Sequence, residues 1–292
     1  MISAYAASPI KRRRASLREM EVRAEFLIDY AKRHGPVSVR ALYYQAEVAA
    51  LPGITKDDRD YDKIQRQVLL LRRNGRLSYE WIADATRWMR KPRSHSSIQD
   101  ALNETAALYR KSLWNHASTY VEIWVEKDAV AGTIYPVTSA CDVPLMVARG
   151  YSSETFCFEA VAQRSNRKPY HVYYLGDFDR AGQNAAQALS EKLQRFAAMR
   201  GIPVVFETIG VTLPQIIEMG LSTRAPKRET AADRKWPHEF ACELDAMPAD
   251  RMRALVDGAI QRHLPAHELE ILKLAEASER EMLQMFVRGA PA

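Results

Sequence analysis

The sequence predicts an α/β protein in which an N-terminal winged helix-turn-helix precedes a mostly parallel sheet. Helical spacing of apolar residues dominates the first 75 positions, whereas short apolar runs alternate with helical segments from residue 118 onward. The net charge also differs between the N-terminal third and the rest of the chain. Residues 1–100 carry 20 Lys and Arg against 12 Asp and Glu, a net charge of +8, and the remainder carries 22 against 24, a net charge of −2. A chain of 292 residues is long enough for two modest domains.

The composition excludes several broad classes. Hydrophobic residues make up 47% of the chain, which is enough for packed cores and argues against general disorder. No apolar run approaches the length of a membrane span, and the N-terminus lacks the charge order of a signal peptide. The three cysteines lie far apart, without zinc-site or disulfide spacing. We therefore expect a cytoplasmic, nucleoid-associated protein with no membrane partner.

Residues 1–21 are expected to form a basic arm. Its positive charge is concentrated in four consecutive residues, Lys11, Arg12, Arg13 and Arg14. Such arms bind nucleic acid phosphates, although a solvated tail explains the same composition.

Residues 22–97 predict the winged-helix domain. Apolar spacing indicates helices over 22–32, 39–49 and 59–73, and the aromatic segment 76–84 is predicted to be a strand or wing. The candidate phosphate contacts on this domain are Arg66, Arg72, Arg73 and Arg76, although a solvated helix face accounts for each nearly as well. Residues 88–97 predict a polar linker, and a connecting helix is expected within 98–117.

Residues 118–292 predict the α/β domain. Strands are expected over 120–125, 143–147, 171–175 and 203–208, with helices over 127–139, 153–164 and 181–200 between them. The tail from about residue 248 predicts further helix.

Acidic residues follow two of these strands. Glu126 comes directly after the first strand, and Asp177 and Asp179 come after the third. Because sites form at the carboxyl ends of parallel strands, these oxygens are expected to meet there and to bind Mg²⁺. A lone Asp-x-Asp is more often a solvated loop or a helix N-cap. Lys127 and Asp128 are interpreted as local surface partners.

Four sequence blocks carry a resemblance to a known family. They begin at Glu122, Ala148, Gly176 and Glu243 and read EIWVEKDA, ARGY, GDFDRAG and ELDAMP. In this order they resemble the topoisomerase VI A-subunit family, which includes the eukaryotic protein that makes meiotic double-strand breaks. The resemblance implies a winged helix followed by a Toprim domain, in which Glu126, Asp177 and Asp179 share Mg²⁺.

A second part of the resemblance falls on the segment from Val39 to Tyr44. It is similar to the catalytic helix of the family, in which an arginine precedes the nucleophilic tyrosine by four residues. Arg40 and Tyr44 share a helical face at that spacing. A guanidinium would favour the phenolate, whose parent phenol has a pKa near 10, and would hold the scissile phosphate. The resemblance thus implies that Tyr44 attacks DNA and becomes linked to a 5′ end. Tyr43 is expected to pack in the core.

The resemblance also implies partners, namely double-stranded DNA, a homodimer that completes each active site in trans, and an ATPase B-type subunit. The short region before Tyr44 indicates a reduced B-subunit extension, as in a short standalone member. The block from Asp179 to Gly182 lacks the usual proline and aromatic. Two alternatives remain open. One is a Toprim nuclease in which a metal-activated water attacks, and the other is a non-catalytic DNA-binding protein.

Overall fold

The computed structural model describes residues 15–55, 57–83, 93–164, 167–231, 233–264 and 266–289. Within them the chain forms a four-stranded, all-parallel sheet with helices on both faces. The predicted α/β class and parallel sheet are therefore confirmed. The basic cluster Lys11–Arg14 and the first half of the expected linker lie outside the described residues. No described helix has the length and apolar character needed to cross a bilayer.

Three helices form the N-terminal part. They are α1 (Leu17–His34), α2 (Val39–Val48) and α3 (Asp58–Arg73). Each starts at a side-chain cap, supplied by Ser16, Ser38 and Asp57, which accepts a backbone N–H of the first turn. The capping box between Ser16 and Glu19 begins α1 within the expected arm, so the last residues assigned to that arm are helical.

The expected wing is not a strand in residues 76–83, and this prediction was wrong. A 3-10 turn, Tyr79–Trp81, occupies the middle of the segment, and only Ile82 makes a β-bridge, to Val37. Ile82 and Leu77 are buried in the core while Tyr79 is exposed. Because the aromatic and β-branched residues are used for packing and find no partner strand, their β-propensity does not produce a wing.

The connecting helix α4 (Ile98–Leu108) is shorter than expected and packs on the C-terminal helix α10 (Ala266–Gly289). The Tyr109 hydroxyl donates to a carboxylate oxygen of Glu279 at 2.6 Å, and the Arg280 guanidinium donates to the Tyr109 carbonyl at 2.9 Å. These bonds hold the end of α4 against α10.

The sheet has the strand order β2-β1-β3-β4. Its strands are β1 (Tyr120–Val125), β2 (Leu145–Val147), β3 (Tyr170–Leu175) and β4 (Val204–Gly210). The central pair is in register from Tyr120 opposite Tyr170 to Val125 opposite Leu175. Strands β1 and β3 therefore end side by side, which brings the residues after them together.

Helices cover the two faces of the sheet. On one face, α6 (Glu154–Ala162) and α7 (Arg180–Ala198) pack on the side chains of Trp124 and Tyr174. On the other, α5 (Asp128–Ala140) and α9 (Ala249–Gln261) pack on Ile123 and Tyr173. Consecutive side chains alternate between faces, as expected for strands buried on both sides. A short helix, α8 (Leu213–Met219), follows β4 and was not predicted.

One continuous core joins the N-terminal helices to the α5 and α9 face of the sheet. Arg253 on α9 donates to the carbonyl oxygens of His34, Pro36 and Thr133, each at 2.8 Å. The segment between α1 and α2 is thereby tied to the α/β part, and α2 is placed near the carboxyl edge of the sheet.

Candidate functional site

The first two candidate acids lie together at the carboxyl edge of the sheet. Glu126 follows β1 and Asp177 follows β3, and the backbone N–H of Asp177 donates to a Glu126 carboxylate oxygen at 2.8 Å. The space at position 176 suits a glycine, because a Cβ there would lie 2.6 Å from the Tyr174 ring and 2.8 Å from that oxygen. The sheet register thus produces the predicted pairing of Glu126 with Asp177.

Asp179 has a different immediate role. One of its carboxylate oxygens caps α7 by accepting the Gly182 N–H at 2.8 Å, and the other accepts from the Arg224 guanidinium at 2.9 Å. The helix N-cap considered as an alternative for this residue is therefore present. The carboxylate still lies at the same edge of the sheet as Asp177.

A second pair of acids, Glu243 and Asp245, completes the cluster. These residues flank Leu244 at a 3-10 turn, Leu244–Ala246, and the Leu244 N–H donates to an Asp177 oxygen at 2.9 Å. Two backbone hydrogen bonds between Phe178 and Cys242 hold the two acidic segments side by side. This block carries part of the family resemblance, but no site residue was predicted in it, although its Glu-x-Asp spacing was a usable signal.

Lys127 lies at the centre of this cluster and is not a local surface partner as expected. Its ammonium is 2.9 Å from Asp177, 3.2 Å from Glu243 and 3.3 Å from Asp245. Burial opposes its charge, but the three carboxylates outweigh burial and raise the pKa of Lys127. Asp128 does act as a surface partner, since it pairs with Arg149 at 2.9 Å.

Arg40 connects α2 to the acidic cluster. Its guanidinium nitrogens donate to the two Glu243 oxygens at 2.9 and 3.0 Å, the fork geometry that arginine uses for carboxylates and phosphates. The same guanidinium lies 5.4 Å from the ring centre of Tyr61 and 6.0 Å from that of Tyr44. The predicted tyrosine and arginine are therefore adjacent, and both lie beside the acids within one chain.

This arrangement differs from the one implied by the resemblance. The resemblance implies an active site that a second subunit completes. In the structure, Ser38 donates to Asp245 at 3.2 Å and Gln45 donates to the Ala246 carbonyl at 3.3 Å. Both ends of α2 thus contact the acidic turn of the same chain.

The pKa of Tyr44 is raised overall, although Arg40 acts on it in the direction expected from the sequence. Burial raises the pKa of its hydroxyl and the charge of Glu243 raises it further, whereas Arg40 lowers it by less. Glu243 keeps its negative charge, because Lys127 and Arg40 outweigh its burial and hold its pKa at about 2. With Arg40 engaged by Glu243, Tyr44 is held as a neutral phenol.

The acids fit a hard divalent cation in their chemistry. Burial raises the pKa of Glu126, and the charge of Asp177 raises it further; burial also raises the pKa of Asp177 in spite of Lys127. Such carboxylates gain from added positive charge, and oxygen-only donors favour Mg²⁺ over zinc. Among the described residues, no three His, Cys, Asp or Glu side chains form a ready metal-binding group. Their oxygens instead accept from Lys127, Arg224 and backbone N–H groups.

Tyr43 has a structural position, in contrast to Tyr44. Its hydroxyl donates to the Thr55 carbonyl at 2.8 Å, and its ring packs edge-on against Tyr61 at 5.7 Å. These contacts fix the loop that follows α2 and fit the packing role expected from the sequence.

The four arginines expected to contact phosphate divide into two pairs. Arg66 and Arg73 are exposed on α3. Arg72 lies 4.2 Å from the ring centre of Tyr79, and Arg76 pairs with Glu21. Arg66 and Arg73 are thus the more available cations on this helix.

Two comparisons with known proteins were negative. No family model matches the chain, and a search of curated proteins finds no significant match.

Proposed function

We propose that the chain cleaves double-stranded DNA in a Mg²⁺-dependent reaction, with Tyr44 as nucleophile and a 5′-phosphotyrosyl intermediate. The observation that carries the proposal is the meeting of Arg40 and Tyr44 with the acidic cluster at the carboxyl edge of a parallel sheet. The sequence resemblance to the topoisomerase VI A-subunit family supports the same reading. Under this proposal, the N-terminal helices form a variant of the winged helix, and the α/β part forms a Toprim domain.

The residues divide the reaction between them. The Tyr44 oxygen attacks the phosphorus, the bond from phosphorus to the 3′ oxygen breaks, and the departing 3′ oxygen takes up a proton. Arg40 holds the phosphate through the fork that it now offers to Glu243. A phosphate in this position would release the Arg40 guanidinium from Glu243. The guanidinium charge would then act on the Tyr44 hydroxyl and favour loss of the hydroxyl proton.

Glu126, Asp177 and Asp179 are the residues proposed to hold Mg²⁺, with Glu243 and Asp245 beside them. When bound, the ion neutralises negative charge on the transferring phosphoryl group.

A plasmid assay tests the proposal. Supercoiled plasmid is incubated with the protein and Mg²⁺, stopped with detergent, and divided into samples with and without protease. Wild-type protein should leave DNA ends that carry protein. Tyr44→Phe should lose cleavage by at least about a thousandfold, as expected for removal of a nucleophile. Tyr43→Phe is the matched control, because it loses a hydroxyl that donates to the carbonyls of Thr55 and Asp57, worth about 1 kcal/mol.

Burial and the charge of Glu243, which raise the pKa of Tyr44 and disfavour its phenolate, favour a second candidate, a Toprim hydrolytic nuclease in which a metal-activated water attacks. In that case Tyr44→Phe would retain cleavage and no protein would remain on the DNA. Specific DNA binding without any cleavage would instead indicate the non-catalytic alternative. The homodimer and the ATPase B-type partner are supported only by the sequence resemblance, and both remain proposals.

A further inference from the structure

A groove runs along the α7 face of the sheet, beside the acidic cluster. It encloses about 530 Å³, within the range of roughly 300–1,000 Å³ typical of small-molecule sites. One wall is a stripe of α7, another is β4, and the loop before α8 closes one end. The lining includes Gln183, Gln187, Ser190, Phe206, Thr208 and Thr212.

The chemistry of the lining suits a neutral, planar group. None of the described residues that line the groove is Lys, Arg or His, and two acids, Asp177 and Glu191, lie among them. A phosphate inside the groove would therefore find no cation to pair with. The amide side chains of Gln183 and Gln187 can both donate and accept, and Phe206 offers a ring. These are the features of a surface that contacts base edges and base faces.

One buried hydroxyl in this wall has no partner among the described residues. Tyr174 is 1% exposed, and its side-chain oxygen makes no hydrogen bond. Its ring packs against Phe206 at 5.7 Å and lies close enough to Gly176 that a Cβ there would come within 2.6 Å. Because a buried polar group without a partner costs free energy, a ligand that shifts the wall enough to reach this buried oxygen gains affinity.

The groove adjoins the reaction centre at one end. Asp177 belongs to both, and Lys127 pairs with Asp177 at 2.9 Å outside the groove lining. From Gly182 to Glu191 the α7 stripe is about 14 Å long, at about 1.5 Å per residue. A nucleotide placed here would set its phosphate beside Lys127 in the acidic cluster and its base along α7.

We propose that this groove binds a nucleobase whose phosphate lies at the acidic cluster. The base is supplied either by the DNA strand at the cleavage point or by a free nucleotide. The inference rests on the proposed function for the position of the phosphate, but the groove can be tested without any cleavage.

The test measures binding in the Tyr44→Phe background, so that strand cleavage does not interfere. The probes are the fluorescent adenine analogue 2-aminopurine as its free deoxyribonucleoside, and a short duplex that carries it. Tyr174→Phe removes only the unpartnered hydroxyl, and the double variant Gln183→Leu, Gln187→Leu removes the two exposed amides. Each should weaken binding by about tenfold or more, the range for one lost base contact. The salt dependence of duplex binding should not change, because no phosphate contact is lost.

Two controls separate binding from folding. Gln163→Leu makes the same chemical change at the exposed end of α6, outside the groove lining, and should bind both probes as the Tyr44→Phe parent does. Tyr174→Phe should not lower the melting temperature, since its hydroxyl has no hydrogen-bond partner within the described part of the chain.

Each outcome either supports or contradicts the proposed base site. Weaker duplex binding at constant salt dependence shows that the base comes from DNA, and weaker nucleoside binding alone shows that it comes from a free nucleotide. If the groove variants bind both probes as well as Gln163→Leu does, or if the parent binds neither probe, the groove is not a base site. These results do not depend on whether Tyr44 is the nucleophile.

Discussion

Replacement of Lys127 by methionine offers a direct test of the charge balance in the acidic cluster. The ammonium lies within 3.3 Å of three carboxylates, on Asp177, Glu243 and Asp245. Methionine keeps much of the length and apolar volume of the side chain but removes the charge. The three carboxylates would then repel one another in a largely buried place.

The expected cost is large for a single substitution. The Asp245 side chain is fully buried, and those of Asp177 and Glu243 are 9% and 11% exposed. Removal of one partner from a buried ion pair costs about 3–5 kcal/mol, because an uncompensated charge stays behind. Lys127 itself is 27% exposed, so we expect the lower end, about 3 kcal/mol, in the free energy of unfolding.

Mg²⁺ should recover part of this loss if the acids bind it. At concentrations ten to a hundred times its dissociation constant, a ligand stabilises the folded state by about 1–3 kcal/mol. Urea unfolding of Lys127→Met in EDTA and in Mg²⁺ measures the effect. The gain should be smaller for wild type, in which Lys127 already neutralises the same oxygens.

Lys192→Met is the matched control. Lys192 is 21% exposed and donates to the Ser152 carbonyl at 2.6 Å, away from the cluster. It should lose about 1 kcal/mol and show no dependence on Mg²⁺. Equal unfolding curves for Lys127→Met with and without Mg²⁺ would refute the assignment of these acids as a metal site.

Three further predictions address pH, assembly and the arm. Burial, with the positive charges of nearby groups, lowers the pKa of His263 to about 4, below its ordinary 6.5. The neutral ring therefore contributes stability that is complete above pH 6.5 and is lost as the pH falls toward 4, about 1–2 kcal/mol after allowance for its partial exposure. Urea unfolding of His263→Gln at pH 7 and pH 5 should show less of this loss than wild type, and an equal loss would contradict the assignment. A mixture of Tyr44→Phe with Asp177→Ala should remain inactive on plasmid, because the tyrosine and the acids meet within one chain; nicking that reappears would show that a second subunit completes the site. Deletion of residues 1–14, which keeps the Ser16 cap of α1, should make the salt dependence of DNA binding shallower by up to about four phosphate contacts, from Lys11–Arg14, and an unchanged slope would show that this cluster takes no part.

The sequence by itself determined the sheet and the meeting of its two acidic ends. The apolar runs that became β1 and β3 were bounded to within a residue, because strands buried on both faces require continuous apolar sequence. Parallel pairing then places Glu126 and Asp177 at neighbouring strand ends without further information. The helical spacing of Arg40 and Tyr44 was equally local, since residues four apart share one face.

The wing shows where local sequence stops being sufficient. The segment from Leu77 to Ile82 has strand-like residues, yet a strand also needs a partner with free backbone groups. Val37 offers only a single bridge, so the segment forms a 3-10 turn and packs its apolar side chains into the core. The β-propensity of this segment was outweighed, because Val37 is the neighbouring residue that bridges to it and does so at one position.

Only the tertiary structure decided the charge pattern of the site. Glu243 and Asp245 lie more than 60 residues after Asp177 and reach it through two backbone hydrogen bonds between Phe178 and Cys242. That contact places Lys127 among three carboxylates and gives Arg40 a carboxylate partner. The ionisation of Tyr44 depends on the balance of burial, Glu243 and Arg40, which is a sum over distances in space. Sequence order fixes none of those distances, because they arise from the packing of α2 against a turn 200 residues away.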